Sequence, residues 1–141
     1  MSSNSAVNRR NTVVGFPAPI VTALPAANAN NNTSAFDLGD AAPGASTNVI
    51  EARVNLPATP SLADGQTITL TLQDSADNSS FAAVAGVATL VATGAGGAGS
   101  AALERQIKLP ATVRRYIRLN QAASATAGNN TAVSSTLSLV I

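Results

Sequence analysis

From about Phe36 onward, apolar side chains in this chain recur with a period of two, and that period decides what it can fold into. In NVIEARVNL, Ile50, Ala52, Val54 and Leu56 share one parity, while Glu51, Arg53 and Asn55 share the other. A pleated strand puts alternate residues on opposite faces, so the segment reads as a strand with one buried side. The connection PATPSLADG is dense in turn formers and closes on Asp64 and Gly65. QTITLTLQ then repeats the scheme, setting Ile68, Leu70 and Leu72 against Thr67, Thr69 and Thr71.

The pattern continues to the end of the chain. Residues 81–84 and 87–93 read as short strands on either side of Gly86, although alanine-rich runs also suit helices. ALERQIKL places Leu103, Ile107 and Leu109 on one parity and stops at Pro110. VRRYIRLN turns Val113, Ile117 and Leu119 inward against Arg114, Tyr116 and Arg118. QAASATAGNNTA reads as a loop, and AVSSTLSLVI closes with Val133, Leu137, Leu139 and Ile141 on one face. Short strands joined by Gly, Pro, Asn and Asp turns, with no useful run of helical period, predict an all-β fold, an antiparallel β-sandwich or barrel.

Residues 1–34 break this pattern. They hold three prolines, an Asn-rich tract over 28–32 and no sustained period, and they predict an extended N-terminal arm preceding a β-sandwich domain over 35–141. The arm still carries apolar pairs, Val13 with Val14 and Ile20 with Val21, followed by Leu24. Such side chains imply an arm that docks on something. Extended at about 3.3 Å per residue it could reach on the order of 100 Å, far enough to lie across a neighbour.

Composition narrows the function. The chain has 141 residues, enough for one domain, and neither Cys nor His. Thiol nucleophiles, disulfides, the usual zinc sites and the commonest general base are therefore absent, and the expectation is a protein that is not an enzyme and uses no cofactor or metal. Eight basic against seven acidic residues give a net charge of +1, too little excess to hold a nucleic acid backbone. No apolar run reaches the length of a membrane span, and the first residues lack the apolar segment of a signal peptide, so synthesis in the cytoplasm without membrane attachment is expected. The side chains are 45% hydrophobic but only 3% aromatic and 11% charged. A core of small aliphatic residues gives a modest stability margin, and self-association is the natural supplement.

The motifs that could carry chemistry read more simply as turns. Gly94, Gly96 and Gly99 match G-x-G-x-x-G, yet no helix pattern follows and no acidic residue occurs after Glu104, so the run reads as a flexible loop. Asp37 with Asp40, and Asp64, Asp74, Asp77 and Asn78, fit no Ca²⁺ spacing and read as turn residues. The triplets beginning at Asn31, Asn32, Asn78 and Asn129 would accept glycans only in a secretory compartment.

Interaction is the better reading of the cations. Seven of the eight basic residues are Arg, with Lys108 the exception, and Arg is the cation enriched at protein interfaces. Arg114, Tyr116 and Arg118 alternate along one strand, Arg53 would join them if its face lies on the same sheet, and Arg9 and Arg10 are similar candidates in the arm. If this face meets carboxylates on a partner, attachment should weaken with salt.

Taken together, four segments resemble the capsid cement, or decoration, proteins of tailed bacteriophages of the jelly-roll type. They are FDLGDAAPG, NVIEARVNLP, DGQTITLTLQDSADNSSFAAV and RRYIRLNQAASATAGNNTA, within residues 36–141. The resemblance implies a jelly-roll β-sandwich, homotrimers, and binding to the major capsid protein on the outside of the virion where capsomers meet. The chain departs from the pattern in its long, Asn-rich arm and in the lack of an aromatic over 121–130. The alternative is a tail-fibre or receptor-binding sandwich that recognises a host-surface carbohydrate.

Overall fold

The computed structural model describes residues 17–39 and 50–140. Among them are ten strands: β1 (Ile20–Ala23), β2 (Asn30–Asn32), β3 (Phe36–Asp37), β4 (Glu51–Leu56), β5 (Thr67–Ser75), β6 (Ala82–Ala83), β7 (Leu90–Thr93), β8 (Leu103–Lys108), β9 (Tyr116–Ala123) and β10 (Ser134–Val140). The described residues contain no helix, and the strand pairings are antiparallel.

Two sheets form. In the first, the order is β1–β10–β4–β8. In the second, β9 and β5 lie at the centre, β2 and β3 both pair with the free side of β9, and β6 and β7 both pair with the free side of β5. If β2 with β3, and β6 with β7, are each taken as one interrupted strand, the chain crosses between the sheets in the order of a jelly roll. The connections β1–β2, β4–β5, β7–β8 and β9–β10 gather at one end of the sandwich. Those of β3–β4, β5–β6 and β8–β9 gather at the other.

The alternating residues fill the space between the sheets. Ala52, Val54 and Leu56 of β4, Ile68, Leu70 and Leu72 of β5, Ile117 and Leu119 of β9, and Leu137 and Leu139 of β10 are buried in one cluster. Burying a Leu or Ile side chain contributes about 1.5–3 kcal/mol, which makes this aliphatic layer the main favourable term for the fold. Phe36 is buried with them.

The sandwich begins earlier than the sequence predicts. Ile20–Ala23 pairs with Ser134–Leu137, and Asn30–Asn32 pairs with Asn120–Ala122, so two segments of the expected arm belong to the sheets. Leu24 is buried in the core, and Ile20, half-buried, packs against it. The Asn-rich tract is structural. Asn28 takes a left-handed conformation in the turn, Asn31 Nδ2 donates to the Ala23 carbonyl, and Asn120 Nδ2 donates to Asn32 Oδ1. A polar edge strand has no hydrophobic alternation, so nothing in the period could reveal it. Arg9, Arg10, Val13 and Val14 lie outside the described residues.

Other boundaries also move. β9 begins at Tyr116 and runs through Ala123, so Gln121 to Ala123 are strand where a loop was expected. The alanine-rich stretches yield only Ala82–Ala83 and Leu90–Thr93.

Candidate functional site

The candidate arginines do not form one patch. Arg53 lies on β4 in the first sheet, whereas Arg118 lies on β9 in the second, so the two stand on different faces of the molecule. Arg53 is half exposed and pairs with Glu104 of β8 at 3.5 Å.

Arg114 precedes β9 and reaches across to the end of β5, contrary to the expected outward alternation. Its Nη2 and Nε donate to Asp74 Oδ1 at 2.6 and 3.1 Å, its backbone N–H to Oδ2 at 3.0 Å, and Nη2 also to the Asp74 carbonyl at 2.8 Å. Asp74 sits on the inward parity of β5 and is 5% exposed, so this fork satisfies a buried carboxylate. The hydrogen bonds to Asp74 raise the guanidinium pKa above its ordinary value, and Arg114 is therefore an internal brace.

Two neighbours are arranged similarly. Arg115 donates from Nε and Nη2 to the two carboxylate oxygens of Asp37 at 2.7 and 3.0 Å, and its guanidinium lies 5.2 Å from the Tyr116 ring centroid. That hydrogen bond, with a second from the Gly39 N–H, holds the Asp37 carboxyl below its usual range. Arg118 donates to Gln73 Oε1 at 2.9 Å and lies 3.9 Å from the centroid of Phe81. Each cation has an intramolecular partner, and the rings of Tyr116 and Phe81 carry cations.

The acidic residues close turns. Asp77 Oδ1 accepts from the Ser79 and Ser80 N–H groups, each at 3.0 Å, and from the Ser75 hydroxyl at 2.8 Å. These bonds, that of the Ser80 N–H foremost, lower its pKa to about 2. Asp64 accepts from the Gly97 N–H at 2.8 Å. After Gly94, Gly96 and Gly99 the chain enters strand β8, which gives that glycine run no helix to hold a phosphate.

What sets the surfaces apart is charge. The outer rows of β5 and β9 place Thr69, Thr71 and Gln73 beside Ala122, Asn120 and Arg118, in register, and Thr67 continues the row of β5. β2 adds Asn30 and Asn32 at one margin, and β7 adds Val91 and Thr93 at the other. Across the central strands of this face, Arg118 is the one charged side chain. Val91, 48% exposed, is one of two large apolar residues open to solvent among the described residues. The other, Val21 at 65%, lies on the outer side of the first sheet at its β1 edge.

The outer side of the first sheet is a charged, self-paired surface. Arg53 meets Glu104 there, Gln106 Nε2 donates to Glu51 Oε1, and Lys108 lies directly across from Glu51. Sequence reasoning located its cations but missed the uncharged face, whose signal was the row Thr67, Thr69, Thr71 opposite the buried residues of β5.

Over residues 18–134 the chain matches the model of one protein family, Bbp16. No curated protein matches it.

Proposed function

The chain belongs to the Bbp16 family, and we propose that it is a non-enzymatic virion structural protein that decorates a bacteriophage capsid by binding the major capsid protein as a homotrimer. One observation carries the reading. The outer face of the β5 sheet is broad, polar and nearly free of charge, so covering it with another protein removes few ions from water. Threonine, asparagine and glutamine can exchange hydrogen bonds with water for hydrogen bonds with a shell surface, and Val91 adds apolar contact at the margin.

The charged outer side of the β4 sheet suits the opposite position, toward solvent. Three weak contacts presented together bind far more tightly than one, because the second and third form at an effective concentration set by the trimer. Sugar recognition is the poorer reading: the described aromatics are buried, as Phe36 is, or lie under arginines, as Phe81 and Tyr116 do.

The test is co-sedimentation of the purified protein with empty shells built from the major capsid protein alone. Saturable binding, abolished by Thr71→Asp in the centre of the face, is the expected result. Failure of the wild type to bind such shells would overturn the reading.

A further inference from the structure

Arg118 is held differently from the arginines around it. Arg53, Arg114 and Arg115 each meet a carboxylate, that of Glu104, Asp74 and Asp37 in turn. Among the described residues no carboxylate pairs with Arg118. The acids at this end of β5 are already committed. Asp74, opposite Ile117, serves Arg114, and Asp77, just beyond the strand, accepts from Ser75, Ser79 and Ser80.

What holds Arg118 is neutral. Its Nε donates to Gln73 Oε1 at 2.9 Å across the β5–β9 pair, and its guanidinium carbon lies 3.9 Å from the Phe81 ring centroid. A guanidinium carries five N–H donors. The bond to Gln73 uses the one on Nε, and the described residues take none of those on Nη1 and Nη2. Resting on a ring and fixed at Nε, the fork has given up most of its freedom before anything binds it. An acceptor that reaches it meets little further ordering cost.

The surroundings select that acceptor. Gln73 directly across from Arg118, and Thr71 and Asn120 one step along the same two rows, are uncharged and half-buried. A lone cation open to water needs no partner. Beneath a covering protein it does, because an unpaired charge shut away from water opposes closure. We propose that Arg118 is the residue of this face that receives a carboxylate of the major capsid protein, an Asp or Glu side chain accepting from its Nη groups; the inference rests on the reading of the face as the shell contact. A planar fork matches the two oxygens of a carboxylate and fixes both the position and the orientation of what it binds. Among rows of threonine and asparagine, whose hydrogen bonds can be exchanged in several ways, this pair sets the register of the chain on the shell. Enclosed by neutral side chains, it is screened little by salt, so removing the charge is a sharper test than raising the ionic strength.

The experiment is co-sedimentation of the full chain with empty shells of the major capsid protein, either native or with their carboxylates amidated by carbodiimide and glycinamide. Arg118→Gln should weaken binding to native shells at least about tenfold with circular dichroism unchanged, and Arg118→Lys, which keeps the charge without the fork, should weaken it less. Amidation should weaken binding of the wild type clearly more than that of Arg118→Gln, because the variant has no pair left to lose. Wild-type affinity of Arg118→Gln for native shells would overturn the proposal, as would equal losses of the two proteins on amidated shells. If Thr71→Asp abolishes binding in either case, the face stands as the shell contact without the pair. Failure of the wild type to bind native shells would overturn both.

Discussion

The Ser135 hydroxyl donates to the Gln121 amide oxygen inside the sandwich, joining β10 of one sheet to β9 of the other. Both side chains are fully buried. Gln121 Nε2 completes the network by donating to the Ala23 carbonyl at 3.0 Å and to Asn31 Oδ1 at 2.9 Å, so one side chain fastens β1, β2 and β10 around β9. A polar group in an aliphatic interior is tolerated because each of its hydrogen-bonding atoms is paired.

Ser135→Ala leaves the Gln121 oxygen without its donor and should destabilise the fold by about 1–3 kcal/mol in urea denaturation. Adding Gln121→Leu should cost less than the sum of the two single changes, because they belong to one network. Strict additivity would show that the two side chains act independently.

The glycines of the β7–β8 connection give a paired test of local strain. Gly96 and Gly99 both have positive φ, at 64° and 73°, but a Cβ on Gly96 meets open space, whereas one on Gly99 overlaps the Thr59 carbonyl oxygen. Gly96→Ala should cost about 1–2 kcal/mol, the penalty for an L-residue in the left-handed region. Gly99→Ala should cost a further ~1–3 kcal/mol through overpacking and loss of the Thr59–Ser100 bridge. Equal Tm values for the two variants would contradict this.

Acid should loosen the turn between β5 and β6. The Ser80 N–H, the Ser75 hydroxyl and the Ser79 N–H hold the Asp77 carboxyl down to about 2 in the folded chain, against an ordinary 3.8. A depressed folded-state pKa contributes stability that is complete above the unfolded value and is lost as pH falls from about 4 toward 2. Asp37, lowered by Arg115, acts in the same direction. The wild-type Tm should therefore fall across that window, and Asp77→Asn, which removes one titrating group, should fall less steeply. Parallel profiles for the two proteins would exclude the role given to Asp77.

The fold was legible where one face of a strand is apolar. Ile68, Leu70 and Leu72 against the threonines of β5 gave the strand, its buried side and its exposed side from period alone. Elements held by polar atoms were not legible: β2 is three asparagines paired to β9 through main-chain and side-chain hydrogen bonds, a pattern shared with any polar loop. The candidate site failed for a related reason. Spacing shows that Arg114 and Arg118 can point outward, but the carboxylate that captures Arg114 lies forty residues away on β5, on the buried parity where a period-two reading expects an apolar side chain.

Attachment to the shell should depend on shape and hydrogen bonding more than on ions. Arg114, Arg115 and Arg118 are engaged within the chain, and the proposed contact face is otherwise uncharged along β5 and β9. Screening acts on exposed charges, and the Debye length falls from roughly 10 Å at 0.1 M to roughly 3 Å at 1 M salt. Shell occupancy by the wild-type protein should then change little over that range. Thr69→Lys should reduce occupancy by burying an unpaired cation on the face, with Tm preserved because Thr69 sits on the outer parity of β5. A steep loss of wild-type binding with salt would instead return the contact to the charged outer side of the β4 sheet, where Arg53→Ala and Lys108→Ala would be the variants to compare.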